Sequence, residues 1–199
     1  MRALIFLFLC HLALLRTASA QPKGLVEISG PDSVLDLRYN SENNFLKKNV
    51  YREFGLDRCY VHPDLASALQ KLTPLLQAQK LKLILWDCYR PLAVQAAMWK
   101  LVPDPRYVGD PKQGSNHNRG VAVDVSLADA TGTPLVMPTA FDDFSARAAP
   151  SYLCAAEEKQ ACENRDRLIQ LMRSAGLNAF PTEWWHFQLP DPKRYPVLP

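Results

Sequence analysis

Two short stretches hold the residues whose types and spacing could do chemistry together. The first is Gly114-Ser115-Asn116-His117-Asn118-Arg119-Gly120-Val121-Ala122-Val123-Asp124, and the second is Glu183-Trp184-Trp185-His186. His117, Asp124 and His186 could ligate one divalent metal, with Glu183 as an acid or base beside it. Two imidazoles and a carboxylate leave a tetrahedral zinc with one open position, the pattern of a catalytic rather than a closed structural site. The chemistry this points to is metal-assisted hydrolysis.

Each stretch also has a plainer reading. Asp124 sits among Val121, Val123 and Val125, where a carboxylate is costly to bury unless it is paired or metal-bound. A core Asp satisfied by neighbours, with His117 in a surface loop, would fit as well. Glu183 and His186 are three apart, and odd spacing on a flat strand faces opposite sides. They meet only if the backbone bends between them; otherwise Trp184-Trp185-His186-Phe187 is an aromatic core strand. Arg90, in Asp87-Cys88-Tyr89-Arg90-Pro91, follows an apolar run, where a strand end delivers side chains into a site. A permanently charged, planar guanidinium there could hold a carboxylate or a developing oxyanion. Its plainer reading is an ion pair with Asp87.

The elements that must position these residues are legible in outline. Leu35–Tyr39 reads as a strand, and residues 41–60 as loop and turn. Pro63 suits the first position of a helix, and Leu65, Leu69, Leu72 and Leu76 recur at helical spacing, with Pro74 able to interrupt it. Lys80–Trp86 alternates and then turns fully apolar, a strand entering a core. A second helix covers about 91–101, and Pro103, Pro105, Gly109, Pro111 and Gly114 make 102–114 a loop. Val121–Leu127 alternates as a strand, Thr131-Gly132 marks a turn in an irregular 128–155 segment, and a third helix spans about 157–175 before Gly176. Phe180 leads to a last strand around Trp184–Leu189, and the Pro-rich tail after Pro190 is expected extended on the surface. Strands and helices mix without regular βαβ alternation, so the expected class is α+β. The expected architecture is one domain, a small, mainly antiparallel sheet packed against about three helices.

Composition sets the compartment. Arg2, an apolar run from Ala3 to Leu15 and Ala18-Ser19-Ala20 have the charge, core length and cleavage pattern of a signal peptide over residues 1–20. The run is shorter than the ~20 residues of a membrane span, so no stable anchor is expected after cleavage. Residues 21–199 would then form the working domain. Losing Arg2 and Arg16 takes the formal charge from +3 to +1. With no clustered Lys/Arg stripe, nucleic-acid binding is not expected. Cys59, Cys88, Cys154 and Cys162 remain, an even number in an exported chain, which favours disulfides. Three pairings are open; closeness in sequence favours Cys154–Cys162, with Cys59–Cys88 as its complement, while a buried free Cys88 thiol is the alternative.

Taken together, the motifs resemble those of the VanX-type D-alanyl-D-alanine dipeptidases. These sit in a wider zinc-peptidase group with D-Ala-D-Ala carboxypeptidases, lysostaphin-like enzymes and the hedgehog signalling domain. The resemblance covers almost all of residues 21–199. It rests on Leu37-Arg38-Tyr39 with Asn43-Asn44-Phe45, on Trp86 through Pro91, on Ser115-x-His117-x-x-Gly120-x-Ala122-x-Asp124, on Met137-x-x-x-Phe141-Asp142, and on Glu183 through His186. Cys88 and the export signal depart from the resistance-type members. The resemblance implies one zinc per chain on His117, Asp124 and His186, Glu183 as general base, and Arg90 on the oxyanion. It places Tyr39, Ser115 and Asp142 at the substrate, with Asp142 holding a free ammonium. The implied activity is hydrolysis of the small dipeptide D-Ala-D-Ala in the cell envelope, periplasmic or secreted, in a small pocket charged at both ends. Two rivals stand beside it: a D,D-carboxypeptidase or endopeptidase on peptidoglycan stems, which needs an open cleft, and a non-catalytic zinc-stabilised binding module, which needs neither Glu183 nor Arg90. The sequence leaves the oligomeric state open.

Overall fold

The computed structural model describes residues 21–199; the signal-peptide expectation falls on residues 1–20, outside the described residues. The elements run β1 (Val26–Ile28), β2 (Ser33–Leu35), β3 (Cys59–Val61), α1 (Pro63–Gln70), α2 (Thr73–Gln79), β4 (Leu81–Asp87), α3 (Leu92–Leu101), β5 (Ala122–Asp129), α4 (Lys159–Ser174), β6 (Asn178–Phe180) and β7 (Glu183–Gln188). A five-stranded sheet has the order β2-β4-β5-β7-β6, and β1 pairs with β3 in a separate ribbon. Only β2 runs parallel to its neighbour β4; the β4–β5, β5–β7 and β6–β7 pairs are antiparallel. This is the expected α+β fold.

Local chemistry accounts for most element boundaries. α1 starts on Pro63 with the His62 ring accepting the Asp64 N–H at 3.2 Å, which satisfies one of the free donors of a helix start. The single helix expected from the leucine spacing is two. Pro74 has no N–H to continue the ladder, so α1 stops and α2 begins afresh with Pro74 in its first turn. Leu65, Leu69, Leu72 and Leu76 still line one buried face across the break. The strand expected at Leu35–Tyr39 is displaced. β2 ends at Leu35, and Arg38–Asn40 forms a 3-10 turn that buries Tyr39. The short strands β1, β3 and β6 fall in segments too brief for a periodic signal.

The main core joins α1, α2 and α4 to the sheet through residues such as Leu72, Leu168, Met172, Ile84, Val123, Val125 and Leu127. A second cluster gathers α3 with Tyr39, Tyr51, Tyr60, Tyr89 and Val108. Val123 and Val125 point into the helical core, so Asp124 between them faces the other way. Disulfides join Cys59 to Cys88 and Cys154 to Cys162. The tail does not merely lie on the surface. Tyr195 is buried, and the Leu198 N–H donates to the Asn118 carbonyl at 2.9 Å. Among the described residues no helix is long and apolar enough to cross a membrane.

Candidate active site

Two irregularities in the sheet bring the chemistry together. In β4 the pairing with β5 passes from Leu85↔Val125 to Asp87↔Asp124, so Trp86 is an extra, bulged residue. A bulge re-aims the side chains that follow it, and here it sets Asp87 directly across from Asp124. On the other side of β5, Asp124 pairs with His186 of β7. Asp87, Asp124 and His186 thus form one row across three neighbouring strands. The second irregularity lies between β6 and β7, where Ala179↔Phe187 is followed by Phe180↔Glu183. Trp184, Trp185 and His186 have no partner on β6, and the chain bends there. This is the bend that the three-residue spacing required: a Glu183 carboxylate oxygen lies 3.9 Å from His186 Nδ1.

His117 arrives from a different element. It opens a 3-10 turn closed by Gly120 at φ +67°. A Cβ on Gly120 would meet Leu25 at 2.7 Å and the His62 backbone nitrogen at 3.1 Å, so only glycine fits this left-handed, crowded position. The His62 N–H donates to the Gly120 carbonyl at 2.7 Å, and the buried Asn118 amide donates to the Arg90 carbonyl at 2.7 Å. The Ser115 N–H donates to Asn118 Oδ1 at 2.6 Å. Arg119 reaches the Tyr195 carbonyl, so the tail braces the same loop.

The three ligand atoms converge. His117 Nε2 lies 3.1 Å from His186 Nδ1 and 3.3 Å from Asp124 Oδ1, and His186 Nδ1 lies 3.0 Å from Asp124 Oδ1. A tetrahedral ion with bonds of ~2.0 Å separates its ligands by about 3.3 Å. Asp124 Oδ1 is buried without a hydrogen-bond donor, an orphaned acceptor of the kind that a cation satisfies. The imidazole tautomers agree. His117 Nδ1 is 2.8 Å from the Cys88 carbonyl and must donate to it, leaving Nε2 with its lone pair. His186 Nε2 donates to Gln188 Oε1 at 3.2 Å, which frees Nδ1. Metal-binding histidines are held in this way by their second nitrogen. Gln188 is itself fixed by the Asn116 amide at 2.6 Å. The donor set therefore fits a divalent metal.

Glu183 is buried beside this group, and its carboxyl is raised well above the ordinary value. Burial is the main cause, the Asp124 charge adds to it, and Arg90 opposes. Arg90 makes the ion pair with Asp87 that its plainer reading expects. Its Nε and Nη2 donate to Asp87 Oδ2 at 2.9 and 2.5 Å, and its Nη1 donates to Gln95 Oε1 at 2.8 Å. The same guanidinium lines the cavity, with Nη2 3.9 Å from Asp124 Oδ2 and its carbon 5.2 Å from the Tyr39 ring centre. The ion pair fixes the cation where it faces the site. Asp87 also accepts the Cys88 N–H at 2.8 Å and the Tyr51 hydroxyl. At the far end Asp142 takes the left-handed φ +59° that Asp tolerates better than most residues. It accepts the Tyr39 hydroxyl at 3.0 Å and the Phe45 N–H at 3.1 Å. Burial pushes its carboxyl up to about 7, against the Phe45 N–H, which favours the anion.

All eight residues singled out in the sequence, namely Tyr39, Arg90, Ser115, His117, Asp124, Asp142, Glu183 and His186, line one cavity of about 210 Å³. Drug-sized sites occupy ~300–1,000 Å³, so this one suits a smaller ligand. Phe144 meets Phe45 edge-to-face at 5.3 Å and Tyr107 in a tilted contact at 5.0 Å, so an aromatic row spans three loops at the cavity wall. Sequence reasoning missed Gln95, Asn118 and Gln188. Gln95 was visible as the polar residue in the otherwise apolar Leu92–Met98 run; nothing in the sequence marked the other two as supports.

A buried donor set that fits one metal, an acid at its side and a fixed guanidinium stand together in one cavity. The chain belongs to the D-ala-D-ala dipeptidase family, Peptidase_M15, whose sequence model matches residues 19–197. It is 38% identical over 171 residues to the D-alanyl-D-alanine dipeptidase of Escherichia coli (strain K12), covering 84% of each chain. It is 31% identical over 178 residues to the D-alanyl-D-alanine dipeptidase of Enterococcus faecium, covering 78% of this chain and 85% of that one. Among solved structures, a vancomycin-resistance D,D-pentapeptidase VanY in complex with Zn(II) aligns over 69% of this chain and 77% of that chain, at 15% identity and a TM-score of 0.43.

Proposed function

We propose that the protein hydrolyses D-alanyl-D-alanine to two D-alanine in the cell envelope, with one zinc on His117, Asp124 and His186. The observation that carries this reading is the convergence of all eight motif residues on one small cavity in a chain of this family. Zinc bound there would polarise the scissile carbonyl and lower the pKa of a water to roughly 7. Glu183 takes the proton of the attacking water and returns it to the leaving amine, so the proton count closes within the site. Its raised pKa suits that exchange. Arg90, held by Asp87 and Gln95, faces the developing oxyanion as a donor that needs no reorganisation. Asp142, with Tyr39 donating to it, holds the free ammonium of the dipeptide, and an arriving cation favours the charged carboxylate. Ser115 lies on the cavity wall within reach of the substrate's polar groups.

Export belongs to the same reading. It is supported by the signal-like pattern of residues 1–20 and by two disulfides, which persist in oxidising compartments. A role in handling dipeptide released from the cell wall follows from that compartment.

The stem-peptide reading needs room beyond the ammonium end, where Asp142 is flanked by Phe45 and Phe144. Steady-state turnover of D-Ala-D-Ala and of a pentapeptide stem ending in D-Ala-D-Ala separates the two. The expected result is hydrolysis of the dipeptide with little or none of the stem; equal or faster turnover of the stem would replace the dipeptidase reading with the carboxypeptidase one.

A further inference from the structure

We infer that the Cys59–Cys88 disulfide is a positioning pair for the metal site, holding the backbone carbonyl that orients His117. The inference rests on the zinc reading above. β4 ends at Asp87, so the sheet ladder does not hold the peptide that follows. Yet the carbonyl of Cys88 is the acceptor for His117 Nδ1–H at 2.8 Å, and that bond sets both the tautomer and the ring plane of a ligand. The residue is held by other means. Its N–H donates to Asp87 Oδ1 at 2.8 Å, its side chain is bonded to Cys59 of β3, and the next N–H, of Tyr89, donates to the Tyr60 carbonyl at 2.8 Å.

β3 meets the second ligand segment as well. Immediately after it, the His62 N–H donates to the Gly120 carbonyl at 2.7 Å, and Gly120 closes the turn that carries His117. One short strand and the residue after it therefore touch both the residue of the orienting carbonyl and the loop of the ligand it orients, and the disulfide bonds the strand covalently to the first of these. Both sulfurs are buried, with Cys59 0% and Cys88 2% exposed, so the bond lies inside the packing rather than across a surface loop. Cys154–Cys162 is the natural comparison, since it contributes no residue to the cavity.

Loss of the Cys59–Cys88 disulfide is expected to weaken metal binding, an effect that loss of the other disulfide would not give. Zinc affinity is measured by competition with a chromophoric chelator for the wild type, for Cys59→Ala/Cys88→Ala and for Cys154→Ala/Cys162→Ala. Changes to the groups that orient metal ligands typically cost ~10–100-fold in affinity, so the Cys59/Cys88 variant is expected to bind zinc about 10-fold more weakly or worse. The Cys154/Cys162 variant keeps the wild-type affinity. At saturating zinc the Cys59/Cys88 variant regains turnover, because its three ligands and Glu183 are intact. Equal zinc affinity in the two variants overturns the inference. So does failure of both Cys59→Ala/Cys88→Ala and the milder Cys59→Ala to fold, by circular dichroism, where the Cys154/Cys162 variant is folded; the bond would then be a fastener of the whole fold. A wild type that binds no zinc overturns the zinc reading itself, whereas a wild type that binds zinc beside an unaffected variant overturns only this inference.

Discussion

Glu183→Gln lowers kcat on D-Ala-D-Ala by about 10²–10⁴-fold, the range for loss of a positioned general base, and leaves the metal bound. The amide keeps the shape of the side chain in its buried place next to Trp184 and Trp185 but cannot accept and return a proton. His117, Asp124 and His186 are untouched by the change, so metal content measured on the purified variant stays at the wild-type level. Because Glu183 is the buried carboxyl nearest His186 Nδ1 outside the ligand set, no neighbour substitutes for it. Asp142 is engaged by Tyr39 and Phe45, and Asp87 by Arg90, Cys88 and Tyr51. Wild-type turnover in Glu183→Gln would remove the proposed base. Loss of the metal in the same variant would make Glu183 a ligand rather than a base.

Arg90→Lys separates the two things that this residue does. The guanidinium makes two bonds to Asp87 and a third to Gln95. A lysine is a point charge on a flexible stem and cannot reproduce that fork. It does keep a cation near buried Asp87, which avoids the ~3–5 kcal/mol loss that an uncompensated buried charge brings. The variant should therefore fold, with a lowered thermal midpoint. Its kcat/KM should fall about 10²–10³-fold, as when one oxyanion donor is removed, with zinc still bound. Near-normal kcat/KM in a folded Arg90→Lys protein would confine Arg90 to its structural pair with Asp87.

The candidate site was more legible in the sequence than the fold that presents it. His117, Asp124, Glu183 and His186 each had a plainer reading as core or surface residues, and it is the resemblance of five motifs in the family's order that makes them a metal and base set. The strands that carry Asp124 and His186 were also visible, Val121–Leu127 by its alternation and Trp184–Leu189 by its aromatic run. What the sequence did not reveal was the geometry that makes the set work. Nothing in Leu-Trp-Asp marks Trp86 as the bulged residue that aligns Asp87 with Asp124, and the bend at Trp184–His186 could be required but not seen. The sequence pattern puts Tyr39 at the end of a strand, yet it lies in a 3-10 turn, because three-residue elements are decided by tertiary contacts rather than by periodicity. The orienting groups, Cys88 carbonyl, Gln188 and Asn118, are backbone atoms or ordinary amides whose roles exist only once the chain is folded.

One zinc on His117, Asp124 and His186 is proposed as what makes this cavity hydrolytic. It is tested most directly by D-alanine release from D-Ala-D-Ala, measured on protein stripped by a chelator and then titrated with zinc. No release is expected from the stripped protein, followed by a rise that saturates at one zinc per chain. Full activity in the stripped protein, or none with zinc bound, would contradict it.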